Sequence, residues 1–250
     1  MTTPCDCGEI VTLVARTEHL VEHMHAQRRQ FVTDASHELG TPLAGLRLQL
    51  EEARMNPGQT DLSKLIQKAL REVDRLQDII GDLLTLAQLD TGPEDPPHPI
   101  EVADFVEGEV GKRVFGLPIH LDLEEGLVVA GITGSLARLL GNLLNNAERH
   151  GRSAVRVTVR GEKDEVMVMV DDDGPGIPLQ ERERVFDHFA RTDSARSRDH
   201  GGTGLGLAIA QAIAQAHDGT LVVQESDMGG AQLVLRLPLL RLDTKAGTAA

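Results

Sequence analysis

The chain has 250 residues, 40% of them hydrophobic but only 2% aromatic, with neither Trp nor Tyr, so its core must be built from Leu, Val, Ile and Ala. A formal net charge of −14 excludes long-range attraction to nucleic acid or an anionic membrane, and any phosphate site has to be made locally from backbone N–H groups, a few arginines and a metal. Cys5 and Cys7 are the only cysteines; they form no disulfide framework and fall short of a metal centre, which suits a reducing cytoplasm.

No apolar run approaches the roughly 18 residues needed to span a bilayer, and the N-terminus lacks the basic-then-apolar pattern of a secretion signal. The expectation is a soluble, cytoplasmic chain. Residues 9–31, with Leu13, Leu20, Met24 and Phe31, read as a helix that continues into the stripe Leu39, Leu43, Leu46, Leu50. Asn56-Pro57-Gly58-Gln59 then breaks the helix. Leu62, Ile66, Ala69, Val73, Leu76, Ile80, Leu83 and Ala87 follow in alternating steps of four and three, the spacing of a helix packed in a left-handed bundle. One such hairpin has too little core to stand alone, so two copies are expected to pair into a dimeric four-helix bundle.

Thr91-Gly92-Pro93-Glu94-Asp95-Pro96-Pro97-His98-Pro99 is a linker by composition. Beyond it the pattern turns to mixed α/β. Residues 102–115 read as a helix, 119–130 as one or two strands and 134–150 as a second helix. Ala154–Val159 and Glu165–Val170 alternate as strands around a turn at Gly161–Asp164. Gly204–His217 is an Ala-rich helix, followed by strands near 220–225 and 231–237, and the last ten residues read as a frayed tail.

Four segments carry chemistry. His37 sits beside Glu38 and one turn before Thr41, on the same helix face as that threonine. Pro42 removes a helix hydrogen bond and is expected to bend the helix, exposing the imidazole. A neutral imidazole nitrogen can attack phosphorus if a neighbouring carboxylate takes or orients its other proton, although a lone His beside a Glu is usually just part of a solvated helix face. Asn142 and Asn146 share a face of the second helix of the α/β part. A neutral amide oxygen there suits Mg²⁺ when phosphates and water supply most ligands, and a helix cap or a buried polar network accounts for the asparagines nearly as well. Asp172-Asp173-Gly174-Pro175-Gly176 follows a strand; its tight turn lets a flat ligand approach, and a carboxylate there can accept the exocyclic N–H of adenine. Gly201-Gly202-Thr203-Gly204-Leu205-Gly206 opens a helix and forms an anion site of neither the Walker nor the dinucleotide type. The polar stretch before it, with Arg191, Arg196 and Arg198, reads as a lid within reach of a triphosphate.

In this order and spacing the segments resemble the cytoplasmic core of bacterial two-component sensor histidine kinases over roughly residues 10–240. Phe31–Leu39 with Thr41-Pro42-Leu43 is similar to the H box, Asn142–Ala147 to the N box, Asp172–Gly176 to the G1 box, Phe186–Phe189 to the F box and Gly202–Leu207 to the G2 box. The resemblance implies an all-α hairpin, dimeric as a four-helix bundle, followed by an α/β sandwich ATP-binding domain of the histidine-kinase/Hsp90-like type. The corresponding division is 1–30 a signal-transmitting helix remnant, 31–90 the phosphoacceptor hairpin, 91–99 the linker, 100–240 the catalytic domain and 241–250 the tail.

The resemblance also implies roles. His37 accepts the phosphoryl group, Glu38 is its acid–base partner and Thr41 orients water for dephosphorylation of the regulator. Asn146 binds Mg²⁺. ATP is held by Asn142, Asn146, Arg149, His150, Asp172, Gly174, Gly176, Ile177, Arg191, Arg196, Gly202, Thr203, Gly204, Leu205 and Gly206. The implied partners are a second copy of the chain, the receiver domain of a response regulator and a sensor, upstream or separate; nucleic acid is not among them. Gly40 departs from the arginine common at that place, at a cost of about 1 kcal/mol to the helix and with the loss of a long cation. A phosphatase-dominant form and a non-catalytic, nucleotide-gated interaction module are the rival readings.

Overall fold

The computed structural model describes residues 7–56, 61–91, 95–190 and 203–241, with side chains from Gln30 onward except at Asp90 and Thr91. Pro57, Gly58 and Gln59 of the expected helix break, Gly92 and Pro93 of the linker, Arg191, Arg196 and Gly202 of the expected site, and the tail beyond Arg241 lie outside them. The chain divides into two compact units, Met1–Ile79 and Ile80–Ala250.

The first unit is a helical hairpin. Its first helix, α1 (Cys7–Met55), continues through Pro42, and α2 begins at Leu62 and runs to Thr91, its part from Ile80 onward belonging to the second unit. Pro42 removes the hydrogen bond its own nitrogen would have made to Glu38. One position earlier, the Thr41 hydroxyl donates to the His37 carbonyl at 3.0 Å. Much of the apolar stripe stays uncovered in the single chain: Leu43, Leu50, Ile66, Val73 and Ile80 are all exposed. No helix among the described residues is long and apolar enough to cross a membrane.

The second unit is a helix-on-sheet sandwich. Its main sheet has the order β2 (Ile119–Leu123), β4 (Val155–Glu162), β5 (Glu165–Asp172), β7 (Ala231–Pro238), β6 (Thr220–Glu225). The pair β2–β4 is parallel and the other pairs are antiparallel. On one face Val155, Val157 and Val159, Val166, Val168 and Val170, and Leu233, Leu235 and Leu237 alternate inward. They form one core with Leu136, Leu139, Leu140, Leu143 and Leu144 of α4 (Thr133–His150) and with Ile209 and Ile213 of α5 (Gly206–Ala216). Strand periodicity of two and helix periodicity of 3.6 produce this segregation.

Two differences from the sequence expectation have local causes. The linker is consumed at both ends: α2 extends through Thr91, and His98–Glu101 forms β1, which pairs with β3 (Val128–Gly131). Pro99 is tolerated in this short strand because it has one partner only. Helix α3 (Val102–Gly111) stops four residues early, at a pair of glycines three apart. Its start is fixed by Glu101, whose carboxylate accepts the Asp104 N–H at 2.6 Å and the Gly126 N–H at 2.8 Å.

Leu143 is fully buried at the centre of this core. Leu143→Ala is expected to cost about 2–5 kcal/mol of stability, read by urea denaturation. A loss below about 1 kcal/mol would contradict the packing described.

Candidate functional site

Strand β5 delivers the acidic turn. Asp172 is the last residue of the strand and lies on the helix-facing side with Val166, Val168 and Val170. It is 1% exposed, which is costly for a carboxylate unless its oxygens are engaged. Its Oδ1 accepts backbone N–H groups from Gly174 at 2.8 Å and from Ala231 at 3.2 Å. Burial nevertheless pushes its pKa up, against the opposing pull of these two N–H groups and of His150. Both backbone donors converge on Oδ1, leaving Oδ2 as the oxygen for a ligand donor. Gly230 makes this approach possible, since a Cβ there would overlap Asp172 Oδ1.

Asp173 has a different task. It accepts N–H groups from Arg152 at 2.7 Å and from Ser153, and the Ser153 hydroxyl donates to it as well. These bonds, the Ser153 hydroxyl foremost, hold its carboxyl well below the usual range. The side chain therefore ties the turn after β5 to the loop leaving α4. Gly174 packs on the His150 carbonyl and Gly176 on the Gly230 carbonyl, so the acidic turn is wedged between the end of α4 and the β6–β7 turn. Ile177 packs against the core, and its carbonyl accepts Arg182 Nε at 3.1 Å.

At the middle of α4, Asn142 faces Gly206, with its amide 3.6 Å from where a Cβ on that glycine would lie. Asn142 Nδ2 is buried without a hydrogen-bond partner, an arrangement a protein keeps only at a cost unless a ligand supplies the acceptor. Asn142, Asn146 and His150 recur every four residues on one face of α4. The face spans about 12 Å from the glycine loop at Gly206 to the acidic turn at Gly174. Arg149 and His150 form the basic last turn of this helix. Asn145, one step off this face, instead accepts Arg113 Nη1 at 3.1 Å.

The glycine loop enters α5. Gly204 has φ +75° and lies so close to Phe189 that a Cβ would come within 2.8 Å of its backbone. Glycine is therefore demanded there twice over. Leu205 is fully buried and anchors the loop, its N–H reaching the Thr203 hydroxyl at 3.2 Å. That hydroxyl donates in turn to Asp82 at 2.9 Å, and Asp82 pairs with Arg138 at 2.8 Å. All three belong to the second unit. Asp82 was not among the residues the sequence singled out, because it reads as one more polar position on a heptad helix.

Among the described residues no cluster of three His, Cys, Asp or Glu could hold a metal. The amide oxygens of Asn142 and Asn146 fit an ion whose ligands come mostly from bound phosphates and water. The donor set thus fits a magnesium nucleotide and not a free-standing metal centre. In the first unit His37 is exposed and Glu38 half-buried, with Arg75 of α2 3.9 Å from the Glu38 carboxylate. A Cβ at Gly40 would meet nothing within 4 Å, so nothing in the structure explains the glycine.

Buried acid, orphaned amide and glycine loop on one sandwich, in a chain that also carries a His-bearing hairpin, define the class. Residues 27–92 match the "His Kinase A (phospho-acceptor) domain" and residues 131–241 the "Histidine kinase-, DNA gyrase B-, and HSP90-like ATPase" family. The chain belongs to the two-component sensor histidine kinases. It is 38% identical over 218 residues to the probable sensor histidine kinase TcrY of Mycobacterium tuberculosis, covering 84% of this chain and 46% of that one. It is 33% identical over 227 residues to the sensor histidine kinase CpxA of Escherichia coli, covering 88% and 49%. The chain thus spans about half the length of these relatives. The fold is that of the Acinetobacter baumannii histidine kinase AdeS, with a TM-score of 0.64 at 23% identity over 82% of this chain and 98% of that one.

An ionised Asp172 held in a dry site with a raised pKa lowers stability above its unfolded pKa and not below it, because the folded state binds the proton more tightly. Asp172→Asn is therefore expected to match or exceed the parent's melting temperature at pH 7.5. The difference should shrink as the pH falls toward 4. Thermal melts that show the variant clearly less stable at pH 7.5 would contradict this.

Proposed function

We propose that this chain is an ATP-dependent protein-histidine kinase: it moves the γ-phosphoryl group of ATP to His37 and then to an aspartate of a receiver domain. One observation carries the nucleotide half of the reading. A buried carboxylate with a single oxygen left over stands near the C-terminal end of α4, and a buried amide N–H without an acceptor stands two turns back, at mid-helix. Adenine with its amino group on Asp172 Oδ2 would send its phosphates along α4 toward Asn142 and the Gly206 loop. Backbone N–H groups at the start of α5 favour negative charge there. Asn146 would hold Mg²⁺, which when bound neutralises phosphate charge.

On the hairpin, a lone pair of the His37 ring attacks the γ-phosphorus, and the bond to the β–γ bridging oxygen breaks as ADP leaves. The other ring nitrogen gives its proton to Glu38. Arg75 of α2 lies 3.9 Å from the Glu38 carboxylate and helps to position it. Positioning and charge neutralisation supply the catalysis. The exposed seam of Leu43, Leu50, Ile66, Val73 and Ile80 supports pairing of two hairpins, since a single one leaves this apolar surface in water. Thr41, whose hydroxyl is one turn from the acceptor, is assigned to positioning water for hydrolysis of the regulator's phosphoaspartate, which releases inorganic phosphate. The working site of this portion is the cytoplasm, where ATP and receiver domains meet.

Incubation with γ-labelled ATP and Mg²⁺ is expected to give an acid-labile, base-stable phosphoprotein. The label should be absent in His37→Gln, which should still bind ADP. Label persisting in that variant would overturn the assignment.

A further inference from the structure

Among the described residues, the buried polar or charged side chains are Asp171, Asp172 and Ser226, and all three meet at one corner of the sandwich. Asp172 belongs to the proposed nucleotide site; the other two have no part in it so far. Asp171 is its neighbour on β5 and points to the opposite face of the sheet, as alternate strand residues must. Register places Arg156, Asp171 and Gln232 in one cross-strand row on that outer face. Asp171 Oδ1 accepts the Ser226 hydroxyl at 2.8 Å and Gln232 Nε2 at 3.0 Å, and lies 3.5 Å from Arg156 Nη2. Arg156 is held in turn by Asp227.

Ser226 is the hub of the turn between β6 and β7. Its hydroxyl accepts the Met228 N–H at 3.1 Å, its carbonyl accepts the Gly229 N–H at 3.0 Å, and its own N–H donates to the Gly230 carbonyl at 3.0 Å. Gly230 and Ala231, the residues that leave this turn, are the ones that press on and donate to Asp172 Oδ1. A continuous set of bonds therefore runs from Asp171 on the outer face, through Ser226, around the turn, and back to Asp172 on the inner face.

We propose that Asp171 and Ser226 are positioning residues for purine recognition: they seat the β6–β7 turn so that it occupies Asp172 Oδ1 and leaves Oδ2 aimed at an exocyclic amino group. The proposal rests on the nucleotide reading of the site. Released from Ser226, the turn would no longer hold one carboxylate oxygen, and Asp172 could rotate. The outcome is a loss of adenine preference, not a loss of the fold.

The test uses the full chain with Mg²⁺, titrated with ADP and with GDP by calorimetry alongside thermal melts. The parent is expected to bind ADP and to discriminate strongly against GDP. Ser226→Ala and Asp171→Asn should each weaken ADP by about tenfold, as for a buried hydrogen bond to a charged group, and narrow the ADP-to-GDP ratio. Ser226→Thr, which keeps the hydroxyl, should restore both. In the phosphorylation assay the apparent KM for ATP should rise while the saturating rate holds. Arg160→Ala, on the same face but paired with Asp122, serves as the unaffected control. If the parent binds ADP and both Ser226→Ala and Asp171→Asn, still folded, keep its affinity and selectivity, the positioning role is refuted. If Ser226→Ala loses ADP binding only in proportion to a fall in melting temperature that Arg160→Ala shares, it is refuted equally. A parent that binds no ADP refutes the nucleotide reading itself.

Discussion

The site in the second unit is organised around one costly group, Asp172. A carboxylate that is 1% exposed must be compensated by neighbours or given up as an ion. Here two backbone N–H groups from separate segments, Gly174 and Ala231, converge on one oxygen of Asp172. That convergence requires the acidic turn after β5 and the turn between β6 and β7 to stand against one another. It also requires glycine at position 230, because any side chain would occupy the space of the carboxylate. Much of the local architecture follows from this demand.

The compensation is incomplete. Burial still raises the Asp172 pKa despite its two donors. At the middle of α4, Asn142 keeps a buried N–H without an acceptor. Folding alone would select against both, since a well-packed apolar residue in either place costs less. Sites that violate local rules in this way are the ones where a ligand completes the bonding. Asp173 shows the contrasting case: engaged by Arg152 and Ser153, its pKa is held low and its bonds close the loop after α4. Adjacent aspartates of the same chemistry thus serve opposite ends, one structural and one open to a partner.

How much of this was legible depended on the range of the interaction. The heptad spacing in α2 and the alternation in β4 and β5 are local, and the elements appear where the residues placed them. The strands proved longer than the alternation suggested, because Gly161 and Asp171 continue the ladder although neither reads as a strand former. The strand at His98–Glu101 was hidden by proline content, which describes a linker equally well; only its distant partner β3 decides the matter. In the site, the glycines and asparagines were visible as motifs because their chemistry is local to each segment. The engagement of Asp171 by Ser226 joins residues 55 apart, and that of Asp82 by Thr203 joins residues 121 apart. Neither spacing carries a periodic signal. Strand alternation alone does say that Asp171 and Asp172 look in opposite directions, and that was the one available hint that two consecutive aspartates have different work.

The central claim is that Asp172 is held by the backbone through one oxygen so that the other can receive adenine. Determining the structure of the chain with ADP and Mg²⁺ tests it most directly. The account predicts Asp172 Oδ2 within about 3 Å of the adenine amino nitrogen, Oδ1 still on Gly174 and Ala231, and the diphosphate against Asn142 and the Gly206 loop. A nucleotide bound elsewhere, or one seated in the cleft with Asp172 turned away from the base, would contradict it.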